Sequence, residues 1–178
     1  MGWIMRLFIA INFDKATIER LLTVERELRT RSRYAASWSP PRNLHLTLAF
    51  LGEVESKRLP ELRQIVGRLN VFPRFELRFD RIGGFGKRVL FAGLRRSDEL
   101  AEIHARLTSE LQSSGFDVEE REFKPHVTLA RRVGASLARE YKLEPFGFTA
   151  NRISLMRSQL GNGPAEYTEL YGCDFAVN

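Results

Sequence analysis

The chain has 178 residues, of which 43% are hydrophobic and 28% are charged. This is the size of one domain with enough apolar material for a core, which excludes a string of domains, a fibrous repeat and a disordered chain. Lys and Arg outnumber Asp and Glu by 28 to 22, and the net charge of +6 favours a phosphate-bearing ligand without requiring one.

The first half of the chain alternates strand-like and helix-like segments. In chain order it predicts strand, helix, strand and helix, over residues 6–13, 15–31, 44–51 and 56–69. Asp14 and Ser56 precede the two helical patterns and are expected to cap them. We expect the first lobe to end near residue 69.

The second half begins with a hairpin pattern, in which residues 75–79 and 89–94 flank a turn at Gly83–Gly86. A helix with an apolar stripe follows over residues 98–113. Four further strands and a short helix are predicted, the strands over residues 116–120, 126–131, 146–155 and 167–175 and the helix over residues 135–141. This alternation predicts a fold that mixes helices and sheets.

Cysteine content and the N-terminal stretch limit the cellular setting. Cys173 is the only cysteine, so an intramolecular disulfide, a cysteine-rich zinc site and a two-cysteine redox motif are excluded. The apolar stretch near the N-terminus is interrupted by Arg6 and has no cleavage signal, so we expect neither a secretory leader nor a membrane span. The sequence therefore predicts a cytoplasmic protein.

One five-residue pattern occurs twice, and it uses two of the three histidines. His-Leu-Thr-Leu-Ala at residues 45–49 returns as His-Val-Thr-Leu-Ala at residues 126–130. A lone histidine in a strand is usually structural, and duplication of a lobe would leave a repeat of any kind. Because the polar residues are the ones retained in both copies, we interpret them as functional.

Strand geometry predicts what each copy presents. Side chains alternate between the two faces of a strand, so His45 and Thr47 are expected to share one face, and Leu46, Leu48 and Phe50 the other. The second copy has the same spacing. The alanine that ends each copy is expected to leave the space beside the histidine open.

Two imidazoles that face one space suit the cleavage of a phosphodiester without a metal. With a pKa of about 6.5, one neutral histidine can take a proton from water while the other, protonated, donates to the leaving oxygen across the phosphorus. The hydroxyls of Thr47 and Thr128 can donate hydrogen bonds to the non-bridging oxygens. The two histidines supply too few ligands for zinc.

The remaining candidates are assigned to the core. His104 lies between Leu100 and Leu107 on the apolar stripe of a helix, so we predict that it flanks the core and has no catalytic role. Cys173 lies in a terminal strand-like run with no histidine near it in sequence. We predict that its thiol is buried.

The surroundings of both copies resemble a known family. Asn43–Gly52 is similar to the first motif of the LigT-like RNA 2′,3′-cyclic phosphodiesterases, the ThpR family within the two-histidine phosphoesterase superfamily. Phe123–Arg131 resembles the second motif, Arg6–Ile11 the opening strand, and Leu155–Leu160 with Tyr167 the closing hairpin. The similarity covers nearly the whole chain.

The resemblance implies an α+β fold over residues 1–178, which form one domain of two intertwined lobes related by a pseudo-two-fold axis. Each lobe would be an antiparallel sheet with helices on its outer face and one His-x-Thr motif. The two sheets would face a central cleft that holds both motifs.

The resemblance also implies the reaction, which opens a terminal RNA 2′,3′-cyclic phosphate to a 2′-phosphomonoester without metal or cofactor. His45 would be the proton donor to the 3′ oxygen and His126 the proton acceptor, although the spacing of the motifs does not separate the two roles. The expected partner is an RNA with a cyclic phosphate end or a small cyclic nucleotide. We expect a monomer and no association with a membrane.

Two substrate-binding residues are predicted. Arg131 matches an arginine that binds phosphate in the family, yet an unbroken strand would place it on the face opposite His126, whereas Arg132 has the matching parity. We favour Arg131 and keep Arg132 as the alternative. Phe85 is a candidate to stack on a base, the other interpretation being that it covers the edge of its lobe.

Two alternative functions remain open. The same site run in reverse would be a 2′-5′ RNA ligase, in which a 5′-hydroxyl attacks the cyclic phosphate. A non-catalytic module that binds RNA ends is the second alternative, and the intact histidines and threonines speak against it.

Overall fold

Two antiparallel sheets form the framework of the protein in the computed structural model, which describes residues 2–32, 36–86, 88–119, 121–133 and 137–177. The first sheet contains, from edge to edge, β3 (His45–Glu55), β1 (Ile4–Asn12), β8 (Arg152–Gln159) and β9 (Glu166–Asp174). The second contains β2 (Ser37–Trp38), β6 (His126–Arg131), β5 (Val89–Leu94), β4 (Phe75–Phe85) and β7 (Phe146–Ala150). One continuous apolar core extends through both.

The helices are α1 (Lys15–Arg31), α2 (Leu59–Gly67), α3 (Asp98–Ser113) and α4 (Leu137–Glu140). Helix α2 packs on β8 and β9 and beside α3, and α4 packs on β4. Helix α1 lies across the second sheet, where the guanidinium of Arg20 is 5.6 Å from the ring centre of Phe146. The predicted α+β class, with helices outside two facing sheets, is confirmed. Within the described ranges, no helix is long and apolar enough to cross a membrane.

The bounds of α1, β5 and α3 agree with the sequence prediction. The predicted cap of α1 is also confirmed, since the backbone N–H of Thr17 donates to Asp14 Oδ1 at 2.7 Å. The predicted cap of the second helix is wrong. Ser56 makes no capping hydrogen bond there but begins a 3₁₀ turn, Ser56–Arg58, and α2 starts only after it.

The chain crosses between the sheets at a point where the sequence predicts one uninterrupted strand. Strand β7 pairs with β4 in the second sheet, whereas β8 pairs with β1 in the first, and Asn151 separates them. The predicted strand over residues 146–155 is therefore two strands. The prediction missed the break because no glycine or proline stands beside Asn151, and the one glycine of the run, Gly147, lies inside β7. The first lobe does not end near residue 69 but takes its last two strands from the C-terminal region.

Three other segments differ from the prediction. Residues 116–119 form no strand, although Phe116 and Val118 are buried in alternation, because no neighbouring strand pairs with them; Glu120 lies outside the described residues. Strand β4 extends through the predicted turn to Phe85, so that the chain reverses at Gly86, whose φ is +59°. The predicted helix over residues 135–141 is the single turn of α4, and its first two residues lie outside the described part of the chain.

Helix α1 buries a carboxyl group, which gives a test of stability. Glu25 is 1% exposed, its Oε2 is 3.7 Å from Arg29, and its Oε1 has no hydrogen-bond partner among the described residues. Burial raises the pKa of Glu25 from 4.5 to about 7, against the opposing effect of Arg29. Because the folded protein favours the protonated form, this group lowers stability as pH rises from 4.5 to about 7.

Replacing Glu25 by Gln is therefore expected to stabilise the protein at pH 8 by up to about 3 kcal/mol, which corresponds to a rise in Tm on the order of 10 °C. At pH 4.5 the two proteins should unfold at similar temperatures. Thermal unfolding at both pH values measures the difference, and Glu27→Gln on the same helix is the matched control. If Glu25→Gln raises the unfolding temperature no more at pH 8 than at pH 4.5, the interpretation that a buried Glu25 carboxylate destabilises the protein is wrong.

Candidate functional site

Both copies of the repeated pattern line one cleft. Strands β3 and β6 approach each other where the two sheets meet, and the cleft between them has a volume of about 870 Å³. Every site residue that the sequence predicts lines this cleft, namely His45, Thr47, Phe85, His126, Thr128 and Arg131, as does the alternative Arg132. The chemical roles assigned to these residues stay predictions.

The imidazole of His45 is held at both nitrogens. Its Nδ1 lies 2.8 Å from the carbonyl oxygen of Asn43, and its Nε2 lies 3.0 Å from Oγ1 of Thr47. Since a carbonyl only accepts, Nδ1 carries the proton, and in the neutral ring Nε2 accepts from the Thr47 hydroxyl. The rings of Phe8 and Tyr167 pack around it with centres 4.9 and 5.2 Å away.

The imidazole of His126 is held in the same way at Nδ1. Its Nδ1 lies 2.7 Å from the carbonyl oxygen of Lys124, again two residues upstream, so that Nε2 is left to accept a proton. Phe85 and Phe91 pack against the ring with centres 4.9 and 5.3 Å away. In both copies a backbone carbonyl fixes the tautomer, and aromatic rings fix the ring plane.

Burial lowers the pKa of both histidines. It is the main cause of the fall of the His45 pKa from 6.5 to about 4, to which the positive charge of a protonated His126 contributes, while the Asn43 carbonyl opposes it. Burial also lowers the pKa of His126, and the guanidinium of Arg131 contributes. Both rings are therefore neutral near pH 7 in the protein without ligand.

Each motif strand contains an irregularity at the residue that directly follows its threonine, and this irregularity changes which side chains face the cleft. In β3, Thr47 and Ala49 pair with consecutive residues of β1, so that Leu48 is an extra residue. In β6, Leu129 is extra in the same way against β5. An extra residue of this kind, a β-bulge, reverses the alternation of side chains beyond it.

The bulges correct two predictions from simple alternation. Phe50 was placed behind the first motif, but it lines the cleft and is 56% exposed. The alanines were expected to keep space open beside the histidines, but Ala49 and Ala130 are 4% and 0% exposed and belong to the core. The residue that faces the cleft after each threonine is the third one, which is Phe50 in one copy and Arg131 in the other.

The bulge also resolves the conflict over Arg131. It brings the side chain to the face of His126, close enough for its charge to lower the histidine pKa. Arg132 also lines the cleft, with a backbone in the left-handed region at φ 61°. Geometry alone therefore places both arginines at the site and favours Arg131 as the neighbour of His126.

The sequence analysis did not identify three residues that support the site by hydrogen bonds in which at least one partner is a backbone group: Ser39, Asn43 and Lys124. Ser39 holds the bulge of β6, since its N–H donates to the carbonyl of Leu129 and its hydroxyl to the carbonyl of Thr128, both at 2.8 Å. Asn43 and Lys124 act through their carbonyls, which every residue type possesses. The only signal available was their shared position two residues before each histidine.

His104 lies on the side of α3 that faces a second pocket beside the cleft. Its ring stacks on Phe123 at a centre distance of 3.8 Å and an angle of 6°. The expectation that it flanks the core holds in part, since the side chain is half-buried and lines that pocket.

Cys173 is 9% exposed, as predicted for a buried thiol. Among the described residues, no three His, Cys, Asp or Glu side chains form a metal-binding group.

Comparison with known proteins places this geometry in a family. The family model described as the 2′-5′ RNA ligase superfamily matches residues 18–162. A protein of Thermotoga maritima named RNA 2′,3′-cyclic phosphodiesterase is 30% identical over 96% of each chain. A protein of the same name from Escherichia coli is 30% identical over 93% of each chain.

Solved structures agree. The crystal structure of Escherichia coli LigT with 3′-AMP superimposes with a TM-score of 0.82 and 28% identity, covering 97% of this chain and 99% of the other. A Thermus thermophilus structure gives a TM-score of 0.81 and 26% identity over 96% and 98% of the two chains. Both superpositions cover the two sheets and the cleft between them.

Proposed function

The chain belongs to the 2′-5′ RNA ligase superfamily, and from this premise we propose that it is an RNA 2′,3′-cyclic phosphodiesterase that acts through two histidines without a metal. Its relatives in Thermotoga maritima and Escherichia coli carry that name at 30% identity. The proposed substrate is an RNA end or nucleotide with a cyclic phosphate, and the proposed product is the 2′-phosphomonoester.

The observation that carries the proposal is the matched pair of imidazoles. Each histidine donates its Nδ1 proton to a carbonyl two residues upstream, so that each presents Nε2 for proton transfer in the same cleft. A reaction that removes one proton from water and supplies another to a leaving oxygen requires two such nitrogens.

In the proposed step, the water oxygen attacks phosphorus in line with the bond from phosphorus to the 3′ oxygen, which breaks. His126 Nε2 takes the water proton, and protonated His45 gives its Nε2 proton to the 3′ oxygen. When His45 is protonated, its Nε2 no longer accepts from Thr47. The Thr47 hydroxyl is then free to donate to a non-bridging oxygen, as Thr128 and Arg131 would do from the other strand.

The lowered pKa of His45 in the protein without substrate affects its proposed role as the proton donor. His45 has the pKa of about 4, so protonation of the proposed donor is unfavourable until an anion enters the cleft. The negative charge of the cyclic phosphate favours the imidazolium beside it. In the proposed sequence, substrate binding therefore accompanies proton uptake by His45, and the donor is charged only when a substrate is present.

The direct test is incubation of the purified protein in excess chelator with a short RNA that ends in a 2′,3′-cyclic phosphate. We expect a 2′-phosphate as the only product, at a rate equal to that without chelator. A 3′-phosphate product would contradict the departure of the 3′ oxygen. A marked loss of rate in chelator, restored by a divalent cation, would contradict metal independence.

The pH dependence of the reaction is expected to reflect the lowered pKa values. The productive free protein has one histidine protonated and one neutral, and both pKa values lie below 6.5. We therefore expect kcat/KM to fall about tenfold per pH unit above roughly pH 6.5. The decline of kcat should begin at a higher pH, because the bound phosphate raises the pKa of the donor. A kcat/KM that stays constant to pH 8.5 would oppose this scheme.

Ligation is the second candidate, favoured by the name of the matching family model. A 5′-hydroxyl in place of water, attacking phosphorus as the 3′ oxygen leaves, would form a 2′-5′ linkage through the same proton transfers. Adding an RNA with a 5′-hydroxyl to the assay tests it. A joined product that depends on both His45 and His126 would support ligation at the same site.

A further inference from the structure

A second pocket of about 500 Å³ adjoins the cleft. Five residues line both spaces, which makes them two parts of one bent groove: Thr47, Phe50, Phe85, Arg121 and His126. The second space is called the flanking pocket here, and its remaining walls include Val118, His104 and Phe123. A chain that leaves the cleft past Phe50 and Phe85 enters the flanking pocket at once.

The two parts of the groove differ in charge. In the cleft, Arg131 and Arg132 have no carboxylate within 4.0 Å among the described residues. At the flanking pocket the cations are paired: Lys124 contacts Glu122 at 3.2 Å, and Arg121, which borders both parts of the groove, contacts Glu119 at 2.8 Å. Free guanidinium groups favour phosphate, whereas paired charges around an apolar interior favour a flat neutral group.

The walls of the flanking pocket suit an aromatic ring. His104 and Phe123 stack on each other at 3.8 Å, and Val118 closes the interior with an exposure of 7%. Phe50 and Phe85 stand at the boundary with the cleft, 56% and 39% exposed. Exposed aromatic side chains along a groove are the usual platforms for successive bases of a single strand.

We propose that the flanking pocket binds the nucleobase of the penultimate nucleotide, the one 5′ to the residue that carries the cyclic phosphate. This inference rests on the proposed function. The terminal nucleotide fills the cleft with its cyclic phosphate between His45 and His126. Its 5′ phosphodiester then passes Phe50 and Phe85, and the next base enters the flanking pocket. The groove thereby distinguishes an RNA end from a cyclic mononucleotide.

The test compares three substrates with the wild-type protein: a cyclic mononucleotide, a dinucleotide ending in a cyclic phosphate, and the same dinucleotide without the base of its first residue. We expect kcat/KM for the dinucleotide to exceed that for the mononucleotide by about tenfold, the scale of one stacked base. The abasic dinucleotide should lose most of this gain. A gain that persists without the base would overturn the proposal in favour of a phosphate contact.

A variant that fills the flanking pocket provides a second test of the proposal. Val118→Phe should abolish the gain from the penultimate base and leave hydrolysis of the mononucleotide within about twofold of wild type. Val71→Phe, at a position 62% exposed in the 3₁₀ turn after α2, is the matched control and should keep the gain. Retention of the gain in folded Val118→Phe would overturn the proposal. If this variant does not fold, the abasic comparison decides.

Failure of the proposed function would be recognised separately. If the wild type hydrolyses none of the three substrates, the catalytic proposal is wrong, and the dissociation constants of the same three compounds test the pocket without turnover. Tighter binding of the dinucleotide than of its abasic form would then support the base site. Equal binding would overturn it.

Discussion

Replacing His126 by Ala is expected to lower kcat for cyclic phosphate hydrolysis by about 10²-fold or more, the scale of general acid–base catalysis. His45→Ala should cause a loss of similar size. Each histidine is held through its Nδ1 by a backbone carbonyl, so its removal leaves the strand in place while the transferable Nε2 is lost. Steady-state kinetics, with thermal unfolding to verify the fold, measure the effect. Full activity in either variant would contradict the two-histidine mechanism.

A substrate with a better leaving group separates the two roles. When sulfur replaces the 3′ bridging oxygen, the leaving group needs no proton, so loss of the donor should have little effect. We expect His45→Ala to recover most of its activity on this substrate and His126→Ala to recover little. The reverse pattern would assign His126 as the donor.

Replacing Arg131 by Ala is expected to have the second largest effect, a fall in kcat/KM of about 10²-fold, the loss typical of a donor to a developing oxyanion. Arg132→Ala is the matched control, since both side chains line the cleft. Its effect should be less than about threefold, because Arg131 is the arginine whose charge acts on His126. Arg131→Lys should lie between them because it keeps the charge without the planar fork.

The Arg131 variant carries a second readout. The guanidinium lowers the pKa of His126, so Arg131→Ala should raise that pKa when it is followed by NMR titration of the ring. Arg132→Ala should leave it unchanged. If the larger kinetic loss and the larger pKa change both belong to Arg132, the phosphate contact has been assigned to the wrong residue.

The parts of the fold that the sequence predicted well are those set by local pattern. Helix α1 and helix α3 have amphipathic spacing and capping residues, and both begin and end where expected. The repeated His-x-Thr pattern placed four polar side chains in one cleft, because alternation along a strand is reliable over three residues. Residues 45–47 and 126–128 lie before the bulges and obey it.

The failures arise where partners distant in sequence decide the outcome. Alternation assigned Phe50 and Arg131 to the wrong face, because the bulges at Leu48 and Leu129 depend on the register against β1 and β5. Residues 116–119 have the alternating burial of a strand without a strand beside them. The break at Asn151 likewise depends on distant strands, because β7 pairs with β4 in one sheet and β8 pairs with β1 in the other. The residues beside Asn151 do not indicate this change of sheet.

The order of strands in the first sheet has a consequence for synthesis on the ribosome. Strand β1 is made early, yet it lies between β3 and β8, and β8 and β9 emerge only after the whole second sheet has been made. The nascent chain must therefore carry an apolar strand with one unpaired edge for most of translation, the condition in which chaperones bind and chains aggregate. A prematurely terminated product that ends before Arg152 would retain both His-x-Thr motifs. It would still lack β8 and β9, and with β9 the Tyr167 ring that packs against His45.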